Sequence, residues 1–233
     1  MTQRAEPNRM LRKAIVSVYL VQHRGRTSTM GTFVMRRLFV ALAALALLNC
    51  TDSAAPTGVP NTQLHIVQQD TLAPPLVATR DSFWAKVGEG RELHFNYQGV
   101  NPADTGEEFM RFEVPGDALL KKPDGSAFQP GDSILITVTI DDPVRFSFRF
   151  EPAGLQFSPD HPARLKVEYF NADHDFNDDG VENAADSTIE HVLDVWRREG
   201  PSADWFRIGS VKFEELDEID ANITTFTEYA IAW

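Results

Sequence analysis

Cysteine is almost absent: Cys50 is the only one in 233 residues. A disulfide framework and a Cys-based zinc cluster are therefore both excluded. Basic residues are scarce and unevenly placed. Lys and Arg total 22 against 34 Asp and Glu, a net charge of −12. Residues 1–49 hold eight of the basic residues and one acid, so the remainder carries 14 basic against 33 acidic side chains, a net charge of −19. A surface that acidic repels phosphate backbones and excludes a nucleic-acid role. Long apolar runs are also missing. The longest, Leu38–Leu48, is eleven residues, whereas a mature membrane-spanning helix needs about 20. No H-E-x-x-H, G-x-S-x-G, phosphate loop or dinucleotide fingerprint occurs, so no catalytic activity is expected. What remains is sufficient for a fold. Apolar residues make up 42%, and removal of residues 1–49 leaves 184. That is enough for one ordinary domain and a tether, and too little for two full domains.

The run LFVALAALALL (38–48) follows Arg36-Arg37 and precedes Asn49-Cys50. A basic segment followed by a short apolar one is the pattern of an export signal. Leu47-Leu48-Asn49-Cys50 resembles the lipobox of bacterial lipoproteins, although Asn49 stands where that family usually has Gly, Ala or Ser. The resemblance implies a signal peptide at 35–49, cleavage before Cys50, lipidation of that cysteine, and a membrane partner reached through it. Thr51, in place of the retention residue Asp, favours the outer membrane. The alternative is a secreted soluble protein cut after Ala54 or Ala55. Residues 1–34 fit neither a signal nor a fold. They read as a start-site artefact, with Met35 or Met30 the true start, or as a disordered basic extension. Residues 50–80 are assigned to the lipidated cysteine and a flexible tether, because Thr51–Gln63 has no periodic apolar face. Within 64–80, Leu64 and Ile66 alternate weakly before Pro74-Pro75, which leaves open a short edge strand.

From residue 81 to 233 the chain alternates with period two. Leu93, Phe95 and Tyr97 oppose Glu92, His94 and Asn96. Ile134, Ile136, Val138 and Ile140 share a face, as do Val144, Phe146, Phe148 and Phe150, and Leu165, Val167 and Tyr169. Strands that are apolar on one side only build antiparallel sheets with one wet face. Turn residues separate them, at Gly88-Glu89-Gly90, Pro123-Asp124-Gly125, Pro130-Gly131-Asp132 and Asp141-Asp142-Pro143. The expected fold is mainly β, an antiparallel β-sandwich with one short inserted helix. Phe226–Trp233 is apolar on both faces and reads as an interior strand.

Three segments carry a resemblance: Phe112–Leu119 (FEVPGDAL), Ser133–Pro143 (SILITVTIDDP) and Phe148–Tyr169. Together they resemble the β-sandwich shared by ankyrins, netrin receptors and tight-junction scaffolds, over about residues 87–233. The resemblance implies an interaction or structural module with an unidentified protein or glycan partner. It transfers no binding residue.

The segment Asp175–Asp186, DFNDDGVENAAD, has calcium-loop spacing. Asp175, Asn177, Asp179, Val181, Asn183 and Asp186 fall at positions 1, 3, 5, 7, 9 and 12, with Gly180 at 6. Calcium takes six to eight oxygens, so the three leading side chains and the Val181 carbonyl would wrap the ion, with Gly180 allowing the turn. Asn183 would act directly or through water, and Asp186 would close the far side. A helix is expected at 187–199, from Ile189, Val192, Leu193 and Trp196 on one face and a capping box at Ser187 and Glu190. The loop and helix resemble the dockerin calcium repeat of bacterial extracellular proteins. A strand precedes the loop and only one repeat is present, so the resemblance implies a single calcium site and not cohesin binding. The alternative is an acidic, solvated turn that caps a helix. Carboxylate pairs at Glu107-Glu108 and Glu214-Glu215, and the domain histidines, read as surface groups. The alternative function is an extracellular carbohydrate-binding or weakly hydrolytic accessory module: a row of exposed Trp or Tyr would mark sugar binding, and a cleft with two carboxylates roughly 5–10 Å apart would mark hydrolysis.

Overall fold

The structure is a computed structural model that describes residues 57–101 and 104–233. The signal peptide expected at 35–49, the segment 1–34 and the expected lipidation site Cys50 all lie outside the described residues. Among the described residues thirteen strands follow in order: β1 (Arg80–Lys86), β2 (Arg91–Gln98), β3 (Thr105–Val114), β4 (Leu119–Lys121), β5 (Ser133–Thr139), β6 (Ser147–Glu151), β7 (Gln156–Phe157), β8 (Ala163–Glu168), β9 (Asp194–Arg198), β10 (Phe206–Arg207), β11 (Val211–Phe213), β12 (Glu218–Ile223) and β13 (Glu228–Ala232). A single α-helix among the described residues, α1 (Ala184–Glu190), joins β8 to β9.

All strand pairs are antiparallel. One sheet has the order β1-β5-β6-β13-β9-β10 and the other β11-β12-β8-β3-β2, with β4-β7 a separate ribbon. The two sheets face each other across one apolar core, the sandwich that the alternating pattern requires. Phenylalanine fills it. Phe112 and Phe150, from opposite sheets, have ring centroids 4.9 Å apart, and Tyr229 meets Phe150 edge-on at 5.4 Å. Each such side chain removed from water contributes roughly 1.5–3 kcal/mol.

β13 lies between β6 and β9, as its two apolar faces predict. Tyr229 and Ile231 point into the core, while Ala230 and Ala232 point the other way and are equally buried. The chain from Val59 to Gln69 provides the outer cover. Val59 exchanges both backbone hydrogen bonds with Trp205 at 2.8 Å. Asn61 Oδ1 accepts from Trp205 Nε1 and Arg198 Nη1, each at 3.0 Å. Leu64 packs with Trp196, Trp205, Ala230 and Ala232. The Val67 N–H then donates to the Ile231 carbonyl, and the Gln69 N–H to that of Val144. Small residues on the outward face of β13 let this strap approach closely.

Two expectations are corrected here. The tether does not extend to residue 80: from Val59 onward the segment belongs to the domain, with Leu64 and Val67 buried. Even Pro75 and Val77 are tied to β2, through the Gln98 N–H and the Asn96 carbonyl. The helix expected at 187–199 is instead α1 at 184–190 followed by strand β9. Leu193 is buried in the core between the sheets and Trp196 under the 59–69 segment on the outer face, and that pattern mimics a helical stripe over so few residues. The cap is Asn183 with Asp186, not Ser187 with Glu190.

A chain beginning at Asp81 is expected to be far less stable than one beginning at Thr57, with red-shifted tryptophan fluorescence as Trp196 and Trp205 meet water. Equal denaturant midpoints for the two would mean that the strap is a tether after all.

Candidate functional site

The acidic loop follows β8, the central strand of the five-stranded sheet, and delivers the chain, through α1, to β9 of the other sheet. It closes on its own carboxylates. Asp175 takes both ends of the turn: the Asp179 N–H donates to Oδ1 at 3.0 Å and the Gly180 N–H to Oδ2 at 2.6 Å. The Asp179 N–H is shared with Asn177 Oδ1 at 2.9 Å. Asp179 Oδ1 in turn accepts from the Val181 N–H at 3.0 Å. Gly180 has φ +86°, a left-handed geometry that a side chain would strain, and this reversal turns the Val181 region back over Asp175.

Asn183 and Asp186 serve the helix. Asn183 Oδ1 accepts from the Ala185 N–H at 2.8 Å, and its Nδ2 donates to the Val181 carbonyl at 2.7 Å. Asp186 was expected to close the far side of a metal ring. Its carboxylate is almost fully buried, 1% exposed, and accepts from the Asn177 N–H at 3.1 Å and the Asn183 N–H at 2.9 Å. It therefore staples the two limbs of the loop together and completes the capping box. Of the six residues in calcium register, the structure gathers Asp175, Asn177, Asp179 and Val181 in one turn and commits Asn183 and Asp186 to capping. Among the described residues, no group of three His, Cys, Asp or Glu side chains stands at metal-binding spacing.

The donor set nevertheless suits a hard cation. Each Asp175 oxygen holds one N–H and retains a second acceptor site, as carboxylate oxygens do. Among the described residues, no Lys, Arg or His forms an ion pair with Asp173, Asp175, Asp178, Asp179, Glu182 or Asp186.

Acids on the outer face of the five-stranded sheet are treated differently. Lys166 reaches Glu218 at 2.7 Å, Glu168 at 2.8 Å and Glu108 at 3.5 Å. Its burial alone would lower its pKa, but hydrogen bonds to Glu168 and Glu218 raise it. Beside this hub, Asp220 has an Oδ1 without a hydrogen-bond partner. Burial and the neighbouring Glu218 push its carboxyl above the ordinary range. Sequence reasoning missed both residues, because a charged strand face does not show which acid is left over.

The remaining candidates are spent on surface contacts. His94 sits 2.5 Å from Glu108, His161 3.1 Å from Asp117 and His191 2.9 Å from Glu214. Hydrogen bonds from His191 and Lys212 hold the Glu214 carboxyl below its usual range. Among the described Trp and Tyr residues only Trp84 is largely exposed, so no aromatic row forms. No described helix is long and apolar enough to cross a membrane. Comparison of the chain with protein-family models, curated proteins and solved structures gives no match.

Asp186→Ala strips a buried acceptor from two backbone N–H groups, and is expected to cost roughly 2–3 kcal/mol by denaturant unfolding. Exposed Glu182→Ala serves as the control and should change stability by less than about 0.5 kcal/mol. Asp220→Asn should raise the Tm at pH 7. A carboxyl with a raised folded pKa binds its proton more tightly when folded. It thus costs stability above that pKa, and the cost disappears below the unfolded value near 3.9. The same substitution should leave the Tm unchanged at about pH 3.

Proposed function

We propose that this chain is a lipid-anchored cell-envelope protein whose β-sandwich, braced by calcium at 175–186, serves as a binding, adhesion or structural module. The observation that carries the calcium part is the loop itself. Six carboxylates lie within fourteen residues, four of them (Asp173, Asp175, Asp179 and Asp186) accept backbone N–H groups, and among the described residues none is in an ion pair with a cationic side chain. Two such charges about 6 Å apart repel by roughly 0.7 kcal/mol in water, and more where solvent is partly excluded. A divalent ion removes that repulsion. Asp175, Asn177, Asp179 and the Val181 carbonyl would hold it, with water completing the six to eight oxygens calcium takes. Because α1 and β9 follow directly, the ion would brace the crossing between the sheets without performing chemistry.

Anchoring rests on the segment ending at Cys50 and on its likeness to the lipobox. The likeness of residues 87–233 to an interaction sandwich supports binding or scaffolding over catalysis, and His94, His161 and His191 are paired with Glu108, Asp117 and Glu214 at the surface. An open loop supplied mostly by aspartates fits the extracellular range, a Kd of about 10⁻⁵ to 10⁻³ M.

Calorimetric titration of residues 57–233 is expected to show calcium binding in that range. At 100 times Kd, calcium should stabilise the fold by about 2.7 kcal/mol, raising the Tm by roughly 5–10 °C. Asp175→Ala should abolish both effects. Absence of heat and of a melting shift at millimolar calcium sinks the calcium reading. Radiolabelled palmitate should enter the wild type and not Cys50→Ser; no label in either would leave a released protein.

A further inference from the structure

The two large sheets end in four strands, β1, β10, β11 and β2. β10 has two residues and β11 three. β2 is flanked by the chain at 75–77, through the Val77 N–H and the Pro75 carbonyl. β1 differs from all three. It is seven residues long, RDSFWAK, with no proline and no register shift against β5.

Its bonding pattern shows which backbone groups are turned outward. The Ile140 N–H donates to the Thr79 carbonyl and the Val87 N–H to that of Asp132. In the register that pairs Arg80 with Thr139 and Lys86 with Ser133, the odd-numbered residues of β1 therefore bond β5. The N–H and C=O groups of Arg80, Ser82, Trp84 and Lys86 point away from it. The Glu89 N–H donates to the Lys86 carbonyl, which leaves the other three. Among the described residues, only the Asp81 carboxylate meets a main-chain group of these three, accepting from the Ser82 N–H at 2.7 Å. On the outer sheet face Trp84, 62% exposed, stands beside its register partner Leu135, 43% exposed.

An open edge accepts a further strand, and the residues along it select which. Two copies of β1 pair antiparallel in phase when even-numbered residues face even-numbered ones. With Phe83 on the two-fold axis, Arg80 would oppose Lys86 of the partner subunit, and like charges directly opposite destabilise a sheet. With Trp84 on the axis, the pairing would need the Lys86 carbonyl, which is already taken. With Ser82 on the axis, Arg80, Ser82 and Trp84 alone are used. Each Arg80 guanidinium then lies beside the Trp84 ring of the partner subunit, a cation–π pair. β1 also holds Arg80 and Lys86 against Asp81 alone, so two copies approach here without the repulsion that the excess of carboxylates imposes elsewhere.

We propose that a second copy of this chain adds to the open edge of β1, antiparallel about Ser82, so that the two six-stranded sheets continue as one. The contact is smaller than the roughly 1,000 Å² of a stable interface, so the dimer is weak and forms where copies are concentrated. It requires neither calcium nor lipid.

The test uses the full-length chain carrying Cys50→Ser, into which one cysteine is introduced. In this pairing the Cα atoms at 82 are about 5.5 Å apart, within disulfide range, and those at 84 about 13 Å apart. Under mild oxidation Ser82→Cys should form covalent dimers about tenfold faster than Trp84→Cys or Ser202→Cys, which are also exposed positions. Adding Trp84→Lys to Ser82→Cys sets a lysine against Arg80 of the partner subunit, and should slow cross-linking about fivefold while leaving the Tm of the monomer unchanged. A rate at 82 no higher than at 84 and 202 overturns the proposal, as does a rate at 82 that Trp84→Lys does not alter.

Discussion

A strand that is apolar on both faces needs two covers, and β13 is such a strand. Tyr229 and Ile231 are covered by the opposing sheet, as in any sandwich. Ala230 and Ala232 face outward and would leave an apolar trough along the middle of the six-stranded sheet. Only another part of the chain can fill it, and the segment 59–69 does so with Leu64, Ile66 and paired backbone bonds. Much else depends on this. Trp196 and Trp205 are buried under the strap. Arg198, lying over the Trp205 ring at 4.6 Å, bonds both Asn61 and Glu228. Gln68 receives the first residues of the acidic loop.

The loop and the strap therefore support each other at one end of the sandwich. The loop carries the chain between sheets and is held by Asp186 from within. The strap holds the same crossing from outside, through Gln68 and Asp70, whose N–H donates to the Asn171 carbonyl. The electrostatic contrast with the five-stranded sheet is informative. There a lysine gathers three carboxylates that neighbouring strands bring together. In the loop, backbone N–H groups and the Asn183 amide are the donors to the acids, and among the described residues no ion pair is formed.

The strands were legible because one-sided alternation is a direct image of a half-buried sheet. Leu93-Phe95-Tyr97 and Leu165-Val167-Tyr169 point inward as their spacing demands. β13 was legible for the complementary reason, being apolar on both faces from Tyr229 to Ala232. The strap was not. Its buried residues, Leu64 and Val67, are too few and too irregular to form a period, and Pro74-Pro75 imitates a linker. Its burial is set by what lies beneath, a property of β13 rather than of its own composition. The helix end was misread because Ile189, Val192, Leu193 and Trp196 satisfy both a helical stripe and a turn followed by a strand buried on both faces. At the loop, the register of Asp175, Asn177, Asp179 and Gly180 was visible. That Asp186 would turn inward as a staple depended on Asn183 starting the helix three residues earlier than expected.

The pairing of Ile66 with Ala232 joins positions 166 residues apart. Such a contact forms late, because nearly the whole intervening chain must be ordered before the closure entropy is recovered. If the chain is delivered N-terminus first, its strap emerges early and has nothing to lie on until residues 228–233 arrive. Until then Leu64, Trp196 and Trp205 remain unshielded, the kind of transient apolar surface that favours association with a chaperone or with other incomplete chains.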